Sequence, residues 1–525
     1  MKRVLITGGK SSLARAVAGA FGSEFELIFA DFEPFDAGAG VKTVSGDMSD
    51  PAFVTEIVQG TEMVLHLDPL QAARRPDAEA IDTTARGTYV LATEAQKAGV
   101  SRFVLGSSLI LFERLPAQWN VTEVWQPRPK PTLDALCPYV AELSLRECAR
   151  LGDMIPICLR FGQIVSDDEI CAQPPNPNWL HLDDALHAIH RALTFERDPS
   201  QPRHSNWIFH ITAGGDGAKI RLAEAANKPL EYTPQHTFAP TRESVGWQRD
   251  NRTMHQILAP MERLSRPIRN VVIFGAGGPV GAITAQELQQ TYRLRLTDHR
   301  DLSDIAREAK PQFEGAPLPK PFDAPHENQV VDVTDYAQVA AACEGMDAII
   351  NLTVLRQELV QAFRVNTLGA YNVMRAAVVH DIRRVVQTGP AQNLLQEADG
   401  YYWDYAVPEA LPRPGTALYF HTKFLGQEIC RVFAENYGLE VPNLLFQQFA
   451  NPTIPFGLSQ FSVSWQDSAL AIRRALEVPS YPFPYEVLNI SCDLPHGKYS
   501  NARAKSVLNW QPRDNMETHY QQHSF

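Results

Sequence analysis

The sequence predicts an α/β protein built from two tandem domains, each a doubly wound parallel sheet with helices on both faces. Three observations carry that expectation. An internal repeat covers nearly the whole chain, short β-branched runs alternate with amphipathic helical stretches in each copy, and a glycine turn joins the first strand to the first helix of each copy. The composition permits it: of 525 residues 44% are hydrophobic and 21% charged, enough apolar material for sizeable cores.

The copies begin alike. RVLITGGKSSLARAVAGA at 3–20 and NVVIFGAGGPVGAITAQE at 270–287 each read as a strand, a glycine turn and a helix rich in small residues. Gly8 falls on Gly275, and Asp31, closing the second strand ELIFA, falls on Asp298, closing LRLT, both at an offset of 267. The offset then grows to 285, taking Asp47 in SGDMSD to Asp332 in VVDVTD, because the second copy carries a Pro-rich stretch at 310–328 that reads as a loop. Further strand runs follow, MVLHL and RFVLG in one copy, DAIINL and RVVQT in the other. GTYVLATEAQKAGVSRFV at 87–104 lies over GAYNVMRAAVVHDIRRVV at 369–386 at offset 282, and HLDDALHAIHRAL at 181–193 over SWQDSALAIRRAL at 464–476 at offset 283. The seam falls in the polar segment 241–267, which predicts domains 1–266 and 267–525. Helical connections between parallel strands should be right-handed, and ligands should bind beyond the carboxyl ends of the strands.

Charge and cysteines exclude several functions. The 48 Lys+Arg against 60 Asp+Glu give a net charge of -12, which disfavours nucleic acid as a partner. No apolar run approaches the roughly 20 residues that cross a bilayer, and a strand begins directly after Met1-Lys2-Arg3, so the expectation is a cytoplasmic protein without membrane contact. The seven cysteines are scattered and never spaced as CxxC, so neither a disulfide framework nor a metal site is expected.

The glycine turn of the second copy points to a dinucleotide. Gly275 allows the tight turn, Gly278 lets a pyrophosphate approach the helix N-terminus, and Gly281 lets helix pack closely on strand. Asp298, 17 residues after Gly281, can accept both ribose hydroxyls and would repel a 2′-phosphate, which favours NAD over NADP. The first copy keeps Gly8, Gly9 and Asp31 but has Ser11 and Ala14 at the other two positions. It either binds a dinucleotide weakly or keeps only the shape of the site. Tyr419 and Lys423 stand four apart on one helical face. A lysine ammonium one turn from a phenol lowers its pKa, so the tyrosine can act as general base toward a sugar or alcohol hydroxyl.

These features, with DVTD at 332–335, NTLGAYNV at 366–373, YFHTK at 419–423 and the closing YEVLNIS and LNWQP, resemble the extended short-chain dehydrogenase/reductases, the NAD-dependent epimerase/dehydratase group. The resemblance covers both halves and implies two Rossmann-like domains. It implies NAD held by Gly275, Gly278, Gly281, Asp298, Asp332 and Lys423, with Tyr419 as base and a serine or threonine at the end of strand five as its partner. The NTLGAYNVMRAA segment further resembles uronate dehydrogenases, which oxidise the C1 hydroxyl of hexuronic acids. It also implies that helices 87–99 and from Tyr139 would pack on helices 369–380 and Tyr419–Tyr437 as an intramolecular pseudo-dimer, burying Leu143, Leu145, Phe424 and Ile429. The full chain would then run as a monomer.

The departures are specific. Ser108 falls opposite Pro390, which has no hydroxyl, leaving Thr388 as the substitute, roughly 7 Å further back along the strand. In PYVAELS of the first copy Tyr139 takes the tyrosine position, but Leu143 takes the lysine's. Phe446 takes the place of Arg160, an arginine that could grip a substrate carboxylate. The sequence therefore supports an NAD-dependent oxidoreductase or epimerase acting on a sugar, sugar acid or nucleotide sugar through its second half, with a degenerate first half. The alternative is a dinucleotide-responsive, non-catalytic regulator. A scaffold without nucleotide has no use for Gly275, Gly278, Gly281 and Asp298 together.

Overall fold

A computed structural model describes residues 1–238, 267–514 and 516, apart from 39–40, 117–118, 120, 151, 173–175, 177, 198–206, 214–219, 221–228, 309–314, 392–413, 454–461 and 494–499. The chain divides into two compact units, Met1–Ile257 and Leu258–Phe525. The seam expected at 241–267 lies, but for Pro267, outside the described residues.

The first unit has strands β1 (Arg3–Thr7), β2 (Glu26–Asp31), β3 (Lys42–Ser45), β4 (Met63–His66), β5 (Arg102–Ser108), β6 (Ile155–Phe161) and β7 (Trp207–Ile211). Its helices are α1 (Ser12–Phe21), α2 (Pro51–Ile57), α3 (Asp77–Lys97), α4 (Leu133–Ala149), α5 (Asp167–Ala172) and α6 (Leu182–Thr194). The sheet order is 3-2-1-4-5-6-7, parallel throughout. The second unit repeats it with β8 (Asn270–Phe274), β9 (Arg293–Asp298), β10 (Glu327–Val330), β11 (Ala348–Asn351), β12 (Arg384–Pro390), β13 (Val441–Phe446) and β14 (Tyr485–Asn489), in the order 10-9-8-11-12-13-14. Its helices are α7 (Pro279–Leu288), α8 (Leu302–Glu308), α9 (Tyr336–Cys343), α10 (Leu359–Phe363), α11 (Gly369–Val379), α12 (Leu418–Tyr437), α13 (Trp465–Glu477) and α14 (Ala502–Leu508). In each sheet the order reverses at the first strand of the unit, so a crevice opens beyond the carboxyl ends of β1 and β4, or of β8 and β11.

Central strands run unbroken through apolar residues because helices cover both their faces: Val4, Leu5 and Ile6, like Val271, Val272 and Ile273, are fully buried. α12 stops at Gly438, whose φ of 63° suits the left-handed position that closes a helix. Leu143, Leu145, Phe424 and Ile429 are all buried.

Two expectations about helix starts are corrected. α3 begins at Asp77, behind Pro76, ten residues before the expected 87. α4 begins at Leu133 rather than near Tyr139, because Pro138, which resembles a first-turn proline, lies inside the helix.

Register corrects a third. Gly106, Ser107 and Ser108 pair with Leu159, Arg160 and Phe161, whereas Thr388, Gly389 and Pro390 pair with Leu444, Leu445 and Phe446. The counterpart of Arg160 is therefore Leu445, and Phe446 matches Phe161. A strand apolar on both faces gives no phase signal in sequence, so a one-residue slip passes unseen.

Candidate functional site

The carboxyl end of β8 turns through Gly275, whose φ of 84° only glycine adopts without strain. A Cβ there would stand 2.9 Å from Leu352 C and Thr353 N, so the turn lies against the chain leaving β11. Gly278 is the N-cap of α7 and offers no side chain to it; a Cβ at Gly278 would meet only Gly275 O, at 3.7 Å. The N-terminus of α7 thus faces open space, the property that an anion needs. At Gly281 a Cβ would come within 2.4 Å of Gly275 O, which fixes how closely the helix packs. Asp298, at the end of β9, is held in front of the turn: its Oδ2 accepts Gly277 N–H at 2.8 Å and its Oδ1 accepts His299 N–H at 2.8 Å. Asp332 lies two residues beyond β10, exposed, with Oδ1 accepting Thr334 N–H at 2.8 Å.

Lys423, buried on α12, donates from Nζ to Thr353 O at 3.2 Å. Gly275 lies against the same residue, so the fold brings the predicted cofactor turn and the predicted lysine to Thr353, just beyond β11. Loss of solvent pulls the Lys423 pKa down to about 8, the nearby Arg356 acting in the same sense. Tyr419 is half-buried. Desolvation raises its pKa, and the guanidinium of Arg356, hydrogen-bonded to the phenol and 5.2 Å from the ring centre, opposes that rise. The charge that offsets burial at the phenol therefore belongs to Arg356, a residue the sequence reading missed. It is exposed on the segment after β11, 63 residues before Tyr419, and no spacing in the sequence links the two. Thr388, half-buried on β12, donates its hydroxyl to Asn351 O at 3.2 Å. That proton is committed to the sheet.

The first unit shows the same turn in a different state. Gly8 has a φ of 69°, and Asp31 Oδ2 accepts Lys10 N–H at 2.9 Å. Ser11, at the position of Gly278, turns its hydroxyl onto Ala14 N–H at 3.1 Å, so α1 caps itself with the group an anion would use. Asp68, at the position of Thr353, is ion-paired to Arg75 at 2.7 Å, and Arg75 lies 4.7 Å from the centre of the Phe32 ring. Asp68 follows β4 and Phe32 follows β2; β1 runs between them. Arg75 therefore spans the crest above β1, where a pyrophosphate would have to pass. The residues around Gly278 fit a dinucleotide's pyrophosphate, while in the first unit Ser11 caps the helix from within and Arg75 lies across β1.

The helix pairing corrects the position of the first unit's tyrosine. Glu142 Oε1 accepts Ser107 Oγ–H at 2.6 Å, while Gln427 covers Gly389, the counterpart of Ser107. Cys137 hydrogen-bonds Thr84, as Thr422 Oγ1 accepts from Asn366 Nδ2 at 2.9 Å. Glu142 thus matches Gln427 and Cys137 matches Thr422, an offset of 285. Tyr419 and Lys423 fall on Asp134 and Pro138, and Tyr139 falls on Phe424. The first unit has neither member of the pair. Arg160 is buried there against Glu142 at 2.6 Å and His210 at 3.3 Å, a satisfied core group rather than a free grip.

A glycine-turn crevice with a tyrosine and a lysine on the helix beside it defines a dinucleotide-dependent class of α/β proteins. A sequence model of the NAD dependent epimerase/dehydratase family matches residues 4–167 and again 271–454, and the chain belongs to that family. The chain is similar to uronate dehydrogenase from Pseudomonas putida, 25% identical over 219 residues, which are 41% of this chain and 73% of the relative. L-arabinose 1-dehydrogenase (NAD(P)(+)) from Haloferax volcanii is 23% identical over 274 residues, 47% of this chain and 98% of the relative. The crystal structure of uronate dehydrogenase from Agrobacterium tumefaciens is 22% identical, with a TM-score of 0.39 over 48% of this chain and 86% of that one. Among the described residues, no helix is long and apolar enough to cross a membrane.

Proposed function

We propose that the second unit binds NAD and catalyses oxidation–reduction at a hydroxyl of a sugar or sugar acid, while the first unit is a non-catalytic partner. The observation that carries this reading is the meeting of Gly275 and Lys423 at Thr353, which sets cofactor turn and tyrosine helix on one crevice. The relatives named above, sugar and sugar-acid dehydrogenases, agree with it. NAD supplies a hydride acceptor when bound. The chain's own residues do the rest: the α7 N-terminus at Gly278 receives the pyrophosphate, Asp298 accepts ribose hydroxyls, and Lys423 donates to the hydroxyls of the second ribose. Tyr419, as phenolate, takes the proton of the substrate hydroxyl, and Arg356 favours that charged form. Thr388 accepts a hydrogen bond from the same substrate region.

Leu445 supplies no cation where Arg160 stands in the first unit, so an acidic substrate would be met by Arg356 instead. A regulatory reading stays in play because Gly389 and Pro390 carry no hydroxyl at the end of β12. NADH fluorescence and thermal shift test binding, and a panel of sugars, sugar acids and nucleotide sugars tests turnover. Binding with release of NADH supports the dehydrogenase, binding with product but no net NADH the epimerase, and binding without turnover the regulator. We further propose that the full chain is a monomer of 58.5 kDa in solution. Light scattering checks the mass.

A further inference from the structure

We propose that the first unit carries a divalent transition-metal site made by His181, Asp183 and His236, suited to zinc. The inference stands apart from the dehydrogenase reading and uses none of its residues. The sequence offered no cysteine pair for a metal, but the fold gathers these three side chains so that one ligand atom of each lies within 4.8 Å of the others. His181 is the buried N-cap of α6, Asp183 is that helix's second residue, and His236 comes from the segment after Tyr232. The two imidazole rings stack with centroids 3.7 Å apart.

The outer partners are those of a metal-bound histidine. His236 Nδ1 donates to Asp184 Oδ2 at 3.3 Å, which leaves the Nε2 lone pair available. Asp184 is itself buried and held by the backbone N–H groups of Gln235 at 2.7 Å and His236 at 3.0 Å. His181 Nδ1 stands 3.7 Å from Asp183 Oδ2 and accepts Asp183 N–H at 3.1 Å; its Nε2 faces Asp167 Oδ1 at 3.2 Å. An ion on Nδ1 would take over the lone pair that caps α6. Two imidazoles and one carboxylate form a zinc set with a fourth position open, here toward solvent, since Asp183 is exposed.

The repeat supplies the control. In the second unit Ser464 caps α13, its Oγ accepting Asp467 N–H at 3.0 Å. Asp467 accepts the backbone N–H groups of Arg513 at 2.9 Å and Asp514 at 3.0 Å, as Asp184 does for Gln235 and His236. His181 therefore matches Ser464, Asp183 matches Gln466 and His236 matches Asp514. The cap and the turn are built there without an imidazole, and histidine is not among the residues favoured at an N-cap. The fold does not need these histidines, so a ligand accounts for them better than stability does.

The test uses the full-length, untagged chain after treatment with a chelator, titrated with Co²⁺ and Zn²⁺. One equivalent should bind, Co²⁺ should show the visible bands of a low-coordinate imidazole site, and Zn²⁺ should raise the thermal midpoint. His181→Ser installs the cap the second unit uses and so should fold with unchanged circular dichroism. It should lose affinity by more than the roughly 10–100-fold that outer-partner changes cost, and His236→Gln should do the same. Failure of the parent chain to bind either ion, or equal affinity in His181→Ser, overturns the site. Unaltered stoichiometry and Co²⁺ spectrum in His236→Gln would do so too, by placing the ion elsewhere.

Discussion

The glycine turn of the second unit and that of the first share a backbone and differ in what occupies the space in front of it. In the second unit Gly278 leaves the N-terminus of α7 open, and the helix beside the crevice carries Tyr419 and Lys423. In the first, Ser11 caps α1 from within, Arg75 bridges Asp68 and Phe32 over β1, and Asp134 and Pro138 stand in place of the pair. A duplicated fold can thus keep its sheet order and its positive-φ glycine while the residues in front of the turn change, because core packing and ligand recognition rest on different residues. Gly8 and Asp31 are common to both copies and do not separate them; Ser11 and Ala14 in place of Gly278 and Gly281 do.

The comparison breaks most visibly on the tyrosine. Tyr419→Phe should lower turnover by about 10²–10⁴-fold, the range for a lost general base, while NADH affinity stays within a factor of about two. Tyr139→Phe should leave turnover unchanged, because Tyr139 matches Phe424 rather than Tyr419. Steady-state rates with a substrate the parent chain uses decide it, and equal losses in the two variants would place catalysis in the first unit.

The turn itself gives the next largest effect. Gly278→Val should weaken NADH binding by about 10–100-fold through crowding of the pyrophosphate path. Ser11→Val should leave it untouched. A sharper version goes the other way: Ser11→Gly with Arg75→Ala opens the first unit's helix and removes the bridge over β1. Fluorescence titration should then reveal a second, weaker equivalent of NADH. If the double variant still binds one equivalent, something other than Ser11 and Arg75 closes that crevice.

Much of this contrast was legible in the sequence. The duplication, the parallel doubly wound sheets, the glycine turn and the aspartates at the ends of β2 and β9 all follow from local pattern. What failed was phase. Sequence alone pairs Arg160 with Phe446 rather than Leu445 because β6 and β13 are buried on both faces, and Tyr139 with Tyr419 because no local pattern marks the three extra residues that precede α12 in the second copy. Arg356 beside Tyr419 and His236 beside His181 were beyond reach for another reason. Each pair is joined only in space, by chain segments that no periodicity connects.

Lys423 gives a smaller effect, with a definite sign. Burial holds its pKa near 8, below the ordinary 10.5, so between those values the unfolded chain binds more protons than the folded one. Its burial therefore costs stability below about pH 8, and the cost fades as pH rises toward 10.5. Lys423→Met should stabilise the chain at pH 7, by at most about 3 kcal/mol, and the gain should shrink by pH 10. The same variant should bind NADH more weakly. Denaturant titrations at the two pH values check the sign; a gain that grows with pH would contradict it.

The smallest expected effect concerns Arg356, a crevice charge that, like Lys423, has no counterpart in the first unit, where Gln71 occupies its place. The guanidinium favours the phenolate of Tyr419 against the desolvation that raises its pKa. Removing it leaves desolvation unopposed, so the phenol ionises at higher pH. Since the phenolate is the active form, turnover rises with pH up to the phenol's pKa and then levels off. Arg356→Gln should move that rising limb upward by about one pH unit or less, as expected for an exposed charge, with the plateau rate nearly preserved. Raised ionic strength should move the limb of the parent chain in the same direction, and that of the variant hardly at all. A limb that stays put in the variant would mean that the phenol is tuned from elsewhere, with Lys423 the next candidate. A plateau that collapses for acidic sugars but not for neutral ones would mean that Arg356 grips the substrate, filling the role that Leu445 cannot.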